Sequence, residues 1–355
     1  MPKMSLDMQG KWADRPLGMR DVFPQQAKLR WQVESRLVRL FDAQKFELVS
    51  CGTFEYVDTL LRGRAEEESR DWVRLLDSSG RMMALRPEMT PSIARMAAPL
   101  LAAGMPEVRW CYGERVYRRT DDPASLSWAS GRAAESTQVG IEWIGGSGDA
   151  VDAQVVSLCQ SGLQELHLAE WQMVVSHAAF APEFFQALEL PKETIQDLLR
   201  DLSRGDYVNF RSLATASGIH QDLLQVLADL NPLHAGSLPL WLTERWQQTE
   251  AGHRVQTVWN KLVDFGQVLQ QKNLANHLAF DLTLVRDVSY YTGIVFEVFA
   301  PGAGAPVALG GRYDDLLGQF GAPAPAVGFA YEVERLLTAL TAGEWLAESD
   351  QNGGV

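Results

Sequence analysis

No two of the three cysteines, Cys51, Cys111 and Cys159, are close enough in sequence to make a CxxC pair. A zinc ribbon and a disulfide framework both lack their usual signature, and the thiol usage points to a reducing compartment. None of the six histidines forms an HxxH or HxxxH pair, so no metal is expected. Long hydrophobic runs are missing too. The most apolar helix candidate, Ile93 to Met105, is interrupted by Arg95 and is too short to span a bilayer. The first residues, Met1-Pro2-Lys3-Met4-Ser5, have no apolar h-region, so no signal peptide is expected. Positive charge is scarce: 32 Lys and Arg stand against 45 Asp and Glu, for a net charge of −13. A nucleic-acid binder draws most of its affinity from neutralising phosphates, so this balance weighs against RNA as a partner, although a local basic patch can persist on an acidic protein. No internal repeat is evident. The expectation is a soluble cytoplasmic protein with no membrane partner.

What the sequence does contain is ordinary globular material, 46% hydrophobic, with room for one large core and a smaller domain. Leu29, Val33, Leu37, Leu40 and Phe41 mark one face of a helix over Gln26 to Gln44. Phe46 to Val49 reads as a strand. Val73 to Asp77 and Met82 to Leu85 flank Ser78-Ser79-Gly80, predicting a β-hairpin. Thr90-Pro91 has the form of an N-cap followed by proline, opening a helix to about Leu101. Val108 to Tyr117 and Thr137 to Ile144 read as strands joined by a long polar loop, Thr120 to Ser136. Strand character returns at Leu278 to Val285 and, after Thr292-Gly293 as in a hairpin, at Ile294 to Phe299. Ala326 to Leu340 combines a strand with a helix. The domains expected are a first core part over 1–180, a helical insertion over 181–276, a second core part over 277–341 and a disordered tail over 342–355.

Four stretches group residues suited to a zwitterionic ligand. Glu88 stands just ahead of a predicted helix that begins near Thr90, and Arg118 ends a strand. Gln138-Val139-Gly140-Ile141-Glu142 aims Gln138 and Glu142 at one face with a glycine between them. Arg286 through Tyr290 and Tyr291 adds a cation and two phenols. An amino acid needs anionic partners for its ammonium and a cation or amide for its carboxylate, and an imidazole adds two nitrogens that need polar partners. Each stretch alone also has a purely structural reading. Arg118-Arg119 fits a solvated strand end, Tyr290-Tyr291 fits hairpin packing, Glu142 fits the outer side of an amphipathic strand, and Gly310-Gly311-Arg312-Tyr313-Asp314 fits a turn.

Their order narrows the reading. Gly18-Met19-Arg20-Asp21-Val22-Phe23-Pro24, Leu85-Arg86-Pro87-Glu88, Gln138 to Glu142, Leu284 to Glu297, Gly310 to Asp314 and Ala326 to Leu336 resemble the histidyl-tRNA synthetase core over roughly residues 14–340. That resemblance implies an α+β class II synthetase-like fold, an antiparallel β-sheet flanked by helices with a helical insertion, dimerising through its N-terminal motif. It also implies that Glu88, Thr90, Gln138, Glu142, Arg286 and Tyr291 surround L-histidine, with Arg118 and Tyr290 close by.

The departures from that family bear on activity. Only 20 residues follow Arg335, so no anticodon-binding domain is expected. Thr120 follows Arg118 where the family has a glutamate, Ser136 replaces an adenine-stacking aromatic, Gly52 replaces the N-terminal motif's proline, and Glu332 takes the place of the glycine that makes room for nucleotide. Arg118, Arg286 and Arg335 are retained. This combination resembles the regulatory subunits of ATP phosphoribosyltransferase in histidine biosynthesis. The resemblance implies a non-catalytic subunit with no cofactor and no catalytic residues of its own, a homodimer within a hetero-octamer. It would bind histidine and impose feedback inhibition on a short catalytic subunit, without tRNA. Two alternatives stay open at this stage: a synthetase paralogue that activates histidine for an acceptor other than tRNA, and a stand-alone histidine-binding protein.

Overall fold

The computed structural model describes residues 15–16, 18–119, 133–233, 238, 240–286 and 288–342. Residues 120–132 of the expected polar loop, the first residues of the chain and all but the start of the expected tail lie outside that set.

Helix α1 (Pro24–Ala43) buries Leu29, Val33, Leu37 and Phe41, spaced four apart on one stripe, each contributing roughly 1.5–3 kcal/mol of hydrophobic stabilisation. The chain then makes β1 (Glu47–Leu48), β2 (Phe54–Tyr56), the short α2 (Val57–Leu60), β3 (Arg74–Leu76) and β4 (Met82–Leu85). The β3–β4 hairpin forms as the Ser78-Ser79-Gly80 turn predicts, with Asp77 Oδ1 accepting from the Ser79 and Arg81 amides at 2.9 and 2.8 Å. Helix α3 (Thr90–Ala102), β5 (Val108–Tyr117), β6 (Glu135–Ile144), α4 (Asp149–Glu165) and β7 (Gln172–His177) complete the first part.

Among the described residues six helices follow: α5 (Phe180–Ala187), α6 (Lys192–Ser203), α7 (Tyr207–Ala216), α8 (Gln221–Asp229), α9 (Leu240–Trp246) and α10 (Glu250–Gln271). The long α10 packs on α5, α9 and α4 and touches β7, burying Val255, Trp259, Leu262, Phe265 and Leu269. Strands β8 (Leu278–Phe280), β9 (Ile294–Phe299), β10 (Ala308–Arg312) and β11 (Ala326–Glu332) return the chain to the core, and α11 (Val333–Ala342) closes the described chain.

Eight strands form one sheet in the order β1-β5-β6-β11-β10-β9-β7-β8, and β2-β4-β3 form a second. The large sheet is antiparallel through its centre, while its two edge pairs, β1–β5 and β7–β8, run parallel. Two sequence expectations are corrected here. The strand from Leu278 stops at Phe280, because the Asp281 carboxylate captures the Thr283 amide and hydroxyl at 2.8 and 2.6 Å and turns the chain. Thr292-Gly293 does not close a hairpin between β8 and β9. Strand β7 separates those two, and the Thr292 and Gly293 amides both donate to the Arg312 carbonyl at the end of β10.

Register divides the sheet into an apolar and a polar face. Cross-strand partners share a face, and successive residues alternate between faces. Cys111, Ile141, Phe329, Gly310 and Phe296 form one row on the apolar face, where Val139, Trp143, Val327 and Tyr331 join a core shared with α1, α4 and α10. The opposite face carries Trp110, Glu142, Gly328, Gly311 and Val295 in one row, and Tyr112, Gly140, Ala330, Leu309 and Glu297 in the next. That second face packs against α3, through Ile93, Ala94 and Ala97 among others.

Candidate functional site

The middle of the polar face is built from residues with little or no side chain: Gly140, Gly328, Gly311 and Ala330. The resulting hollow is occupied from its sides. A Cβ on Gly328 would lie 1.8 Å from Glu142 Oε2, and one on Gly311 would lie 2.9 Å from the Tyr291 ring. Glycine at these two positions is therefore what lets the Glu142 carboxylate and the Tyr291 ring lie flat against the sheet.

Glu142 is 1% exposed. Its Oε1 accepts from Thr90 Oγ1 at 2.7 Å and from Tyr112 Oη at 3.5 Å, and its Oε2 accepts from Tyr313 Oη. All three donors are hydroxyls. Burial, with only this partial relief, pushes the carboxyl up to about 7. Burial also pushes Tyr112, Tyr290 and Tyr313 well above the usual phenol range, and Tyr291 above it, so all four stay neutral near pH 7. Thr90 does not cap α3. Met89 occupies the cap position without a side-chain bond, and Thr90 is the first helical residue. Its hydroxyl goes to the buried carboxylate instead of to its own helix.

Around this centre the charges are matched. Tyr290 Oη donates to both oxygens of Glu88 at 3.0 Å, and Glu88 also pairs with Arg64, which in turn reaches Glu68 at 3.5 Å. Tyr290 packs on Tyr291 and Tyr313, with ring centroids 4.9 and 5.6 Å apart. Arg286 pairs with Glu297. Burial acts against the Arg286 cation most strongly, but Glu297, followed by Tyr291, moves it above its usual range overall.

Further along β6 the same face carries Gln138, whose amide donates to Glu332 Oε1 at 2.9 Å. Burial opposes ionisation of Glu332, yet Arg335, Arg118 and hydrogen bonds from Gln138 and Ser136 bring it below the usual carboxylate range. A cavity of about 310 Å³ opens at this end, lined by Arg20, Ser136, Glu332, Glu334 and Arg335 among others. A second, of similar size, lies beside Arg86 and Glu114, where Arg86 is already bonded to the Cys51, Gly52 and Arg115 carbonyls and to Glu114. Neither cavity is lined by Glu142. Geometric concavity and the densest chemistry therefore sit at different points, and the hydrogen-bond network is the better guide because it is polar, buried and built from four separate chain segments.

All eight residues singled out from sequence thus lie in two adjoining groups. Glu88, Thr90, Glu142, Tyr290 and Tyr291 meet around the glycine floor with Arg286 at their side, and Gln138 and Arg118 meet around Glu332. Sequence reasoning did not find Tyr112, Tyr313, Arg64 and Glu297. Glu297 had a signal, as the one charged residue in the apolar strand Ile294–Phe299. Tyr313 had a weaker one, two residues beyond Gly311. Arg64 had none. Among the described residues no group of three or more His, Cys, Asp or Glu is arranged to hold a metal ion, and no helix is long and apolar enough to cross a membrane. The three thiols are buried, which raises each of them.

Comparison with known proteins bears on the family and the fold. The family model described as histidyl-tRNA synthetase matches residues 18–336. A curated relative from Bacillus velezensis, an ATP phosphoribosyltransferase regulatory subunit, is 34% identical over 340 residues, covering 95% of this chain and 84% of its own. A solved structure described as a histidine–tRNA ligase subunit from Alicyclobacillus acidocaldarius is 46% identical with a TM-score of 0.84, covering 94% of this chain and 98% of that one. Another, described as an ATP phosphoribosyltransferase regulatory subunit/histidyl-tRNA synthetase from Bacillus halodurans, is 27% identical with a TM-score of 0.75, covering 97% of this chain and 91% of that one.

Proposed function

Because the chain belongs to the histidyl-tRNA synthetase family, we propose that it is the regulatory subunit of ATP phosphoribosyltransferase, acting in the first step of histidine biosynthesis. The observation that carries this reading is the agreement, over 95% of the chain, with curated relatives of that name. The partner is a catalytic subunit, which performs the phosphoribosyl transfer. The present chain supplies control by binding L-histidine between Glu88, Thr90, Gln138, Glu142, Arg286, Tyr290 and Tyr291, with Arg118 close by. Glu88 and Gln138 suit the ammonium, Arg286 suits the carboxylate, and the buried Glu142 with its ring of phenols suits the imidazole. Histidine inhibits only to the extent that it binds one state of the complex better than the other, and the partner's state must change histidine affinity by the same factor. The assembly is a homodimer of this chain within a hetero-octamer, and tRNA is not a ligand.

The geometry beside the histidine site favours regulation over catalysis. Glu332, buried against Arg335, Arg118 and Gln138, sets a fixed negative charge where a nucleotide's phosphates would have to approach. That is the specific point against the alternative, a synthetase paralogue that adenylates histidine. The test is histidine-dependent ATP–pyrophosphate exchange by the purified chain. No exchange, together with calorimetric histidine binding, is expected, and robust exchange would restore the synthetase reading.

A further inference from the structure

Among the described residues, Glu142 differs from the other charged groups of the site in having no cation paired with it. Arg64 is shared by Glu88 and Glu68, Arg286 is paired with Glu297, and Arg335 and Arg118 face Glu332. The groups packed on Glu142 are Thr90 from α3, Tyr112 from β5, Tyr313 from the segment after β10, and Tyr290 and Tyr291 from the loop before β9. Each is neutral. Oε1 takes two of the hydroxyls and Oε2 takes one, so Oε2 keeps acceptor capacity for a ligand N–H.

Resting on the reading that histidine is the ligand, we propose that Glu142 makes binding conditional on a proton: the complex holds one proton between the Glu142 carboxylate and a ring nitrogen. Histidine occupancy, and the feedback it drives, are then greatest near neutrality and fall to either side. With no shared proton the neutral ring can still donate one N–H to the carboxylate, but the buried negative charge has nothing to offset it. With two, the neutral acid can still accept from the ring through its carbonyl oxygen, but the buried imidazolium has no counter-charge. With one, the pair is complementary whether written as carboxylate and imidazolium or as acid and imidazole. The free partners titrate close together, the carboxyl at about 7 and a free imidazole at about 6.5. On the alkaline side both have lost their proton, so binding must take one up. On the acid side both carry one, so binding must release one.

The experiment is isothermal calorimetry of the full chain with L-histidine between about pH 5.5 and about pH 8.5, in buffers of different ionisation heat. Affinity should peak near pH 6.8 and be about fivefold weaker at about pH 8 and at about pH 5.5, with close to one proton taken up or released per histidine at those two ends. In Glu142→Gln the alkaline fall and the proton uptake should both disappear. Histidine binding with a flat pH profile and no proton exchange in the wild-type chain would overturn the proposal while leaving the ligand assignment standing. An alkaline fall that survives in Glu142→Gln would equally overturn it. Absence of histidine binding at every pH would overturn both.

Discussion

Replacing Glu142 by glutamine should make the unliganded protein more stable above neutrality, at the expense of its ligand. In the folded chain the Glu142 carboxyl keeps its proton up to about 7, against an ordinary value of 4.5. The native state therefore binds more protons than the unfolded state between those values, and stability falls as pH rises through that window. The cost is absent below about pH 4.5 and complete above about pH 7, where it reaches on the order of 3 kcal/mol at 1.36 kcal/mol per unit. Glutamine has the same shape and no charge to desolvate. The hydroxyls of Thr90, Tyr112 and Tyr313 that donate to the carboxylate can rotate and accept from an amide, so the network need not be left unsatisfied. Urea unfolding of wild type and Glu142→Gln should show the variant ahead by about 1–3 kcal/mol at about pH 8.5, with most of that lead gone at about pH 5. The comparison is between two gaps, so every other titrating group cancels. A variant no more stable than wild type at the alkaline pH, or ahead by the same margin at both, would refute the account of Glu142 as a desolvated carboxylate without a counter-charge.

Arg286→Ala, reconstituted with the catalytic subunit, should assemble but lose histidine inhibition, and an unchanged inhibition curve would place the feedback site elsewhere. The same change leaves Glu297 without its cation, so a modest loss of stability of about 1–3 kcal/mol is expected by denaturant titration. Gly328→Ala puts a methyl 1.8 Å from Glu142 Oε2 and 2.5 Å from the Ile141 carbonyl. The carboxylate must move, and histidine affinity should drop by more than about tenfold (about 1.4 kcal/mol) in calorimetry. Glu332→Gln removes the anion facing Arg335 and Arg118, so pyrophosphate should bind about tenfold more tightly or more, again about 1.4 kcal/mol. Equal pyrophosphate affinity in both proteins would mean that Glu332 is not what neutralises those arginines.

The sequence by itself determined what depends on near neighbours. The four-residue spacing of Leu29, Val33, Leu37 and Phe41 specifies the buried stripe of α1, and the Ser78-Ser79-Gly80 turn specifies the β3–β4 hairpin. Alternation along Gln138-Val139-Gly140-Ile141-Glu142 puts the two polar side chains and the glycine on one face, whatever that face later meets. The order of the short motifs identified the family and the residues to inspect. Tertiary structure decided what depends on partners distant in the chain. Glu142 meets Tyr313, 171 residues away, and Tyr290 meets Glu88, 202 residues away, because strand register and an α3 packed on the polar face bring them together. Neither pairing leaves a periodic mark in either segment. The Thr90 hydroxyl looked like a helix cap because local spacing favours that use. The fold gives it to a buried carboxylate whose unmet need for donors outweighs a cap available to water. The charge state of Glu142 was least legible of all, since it is set by which cations fail to reach it, and that is a property of the whole packed site.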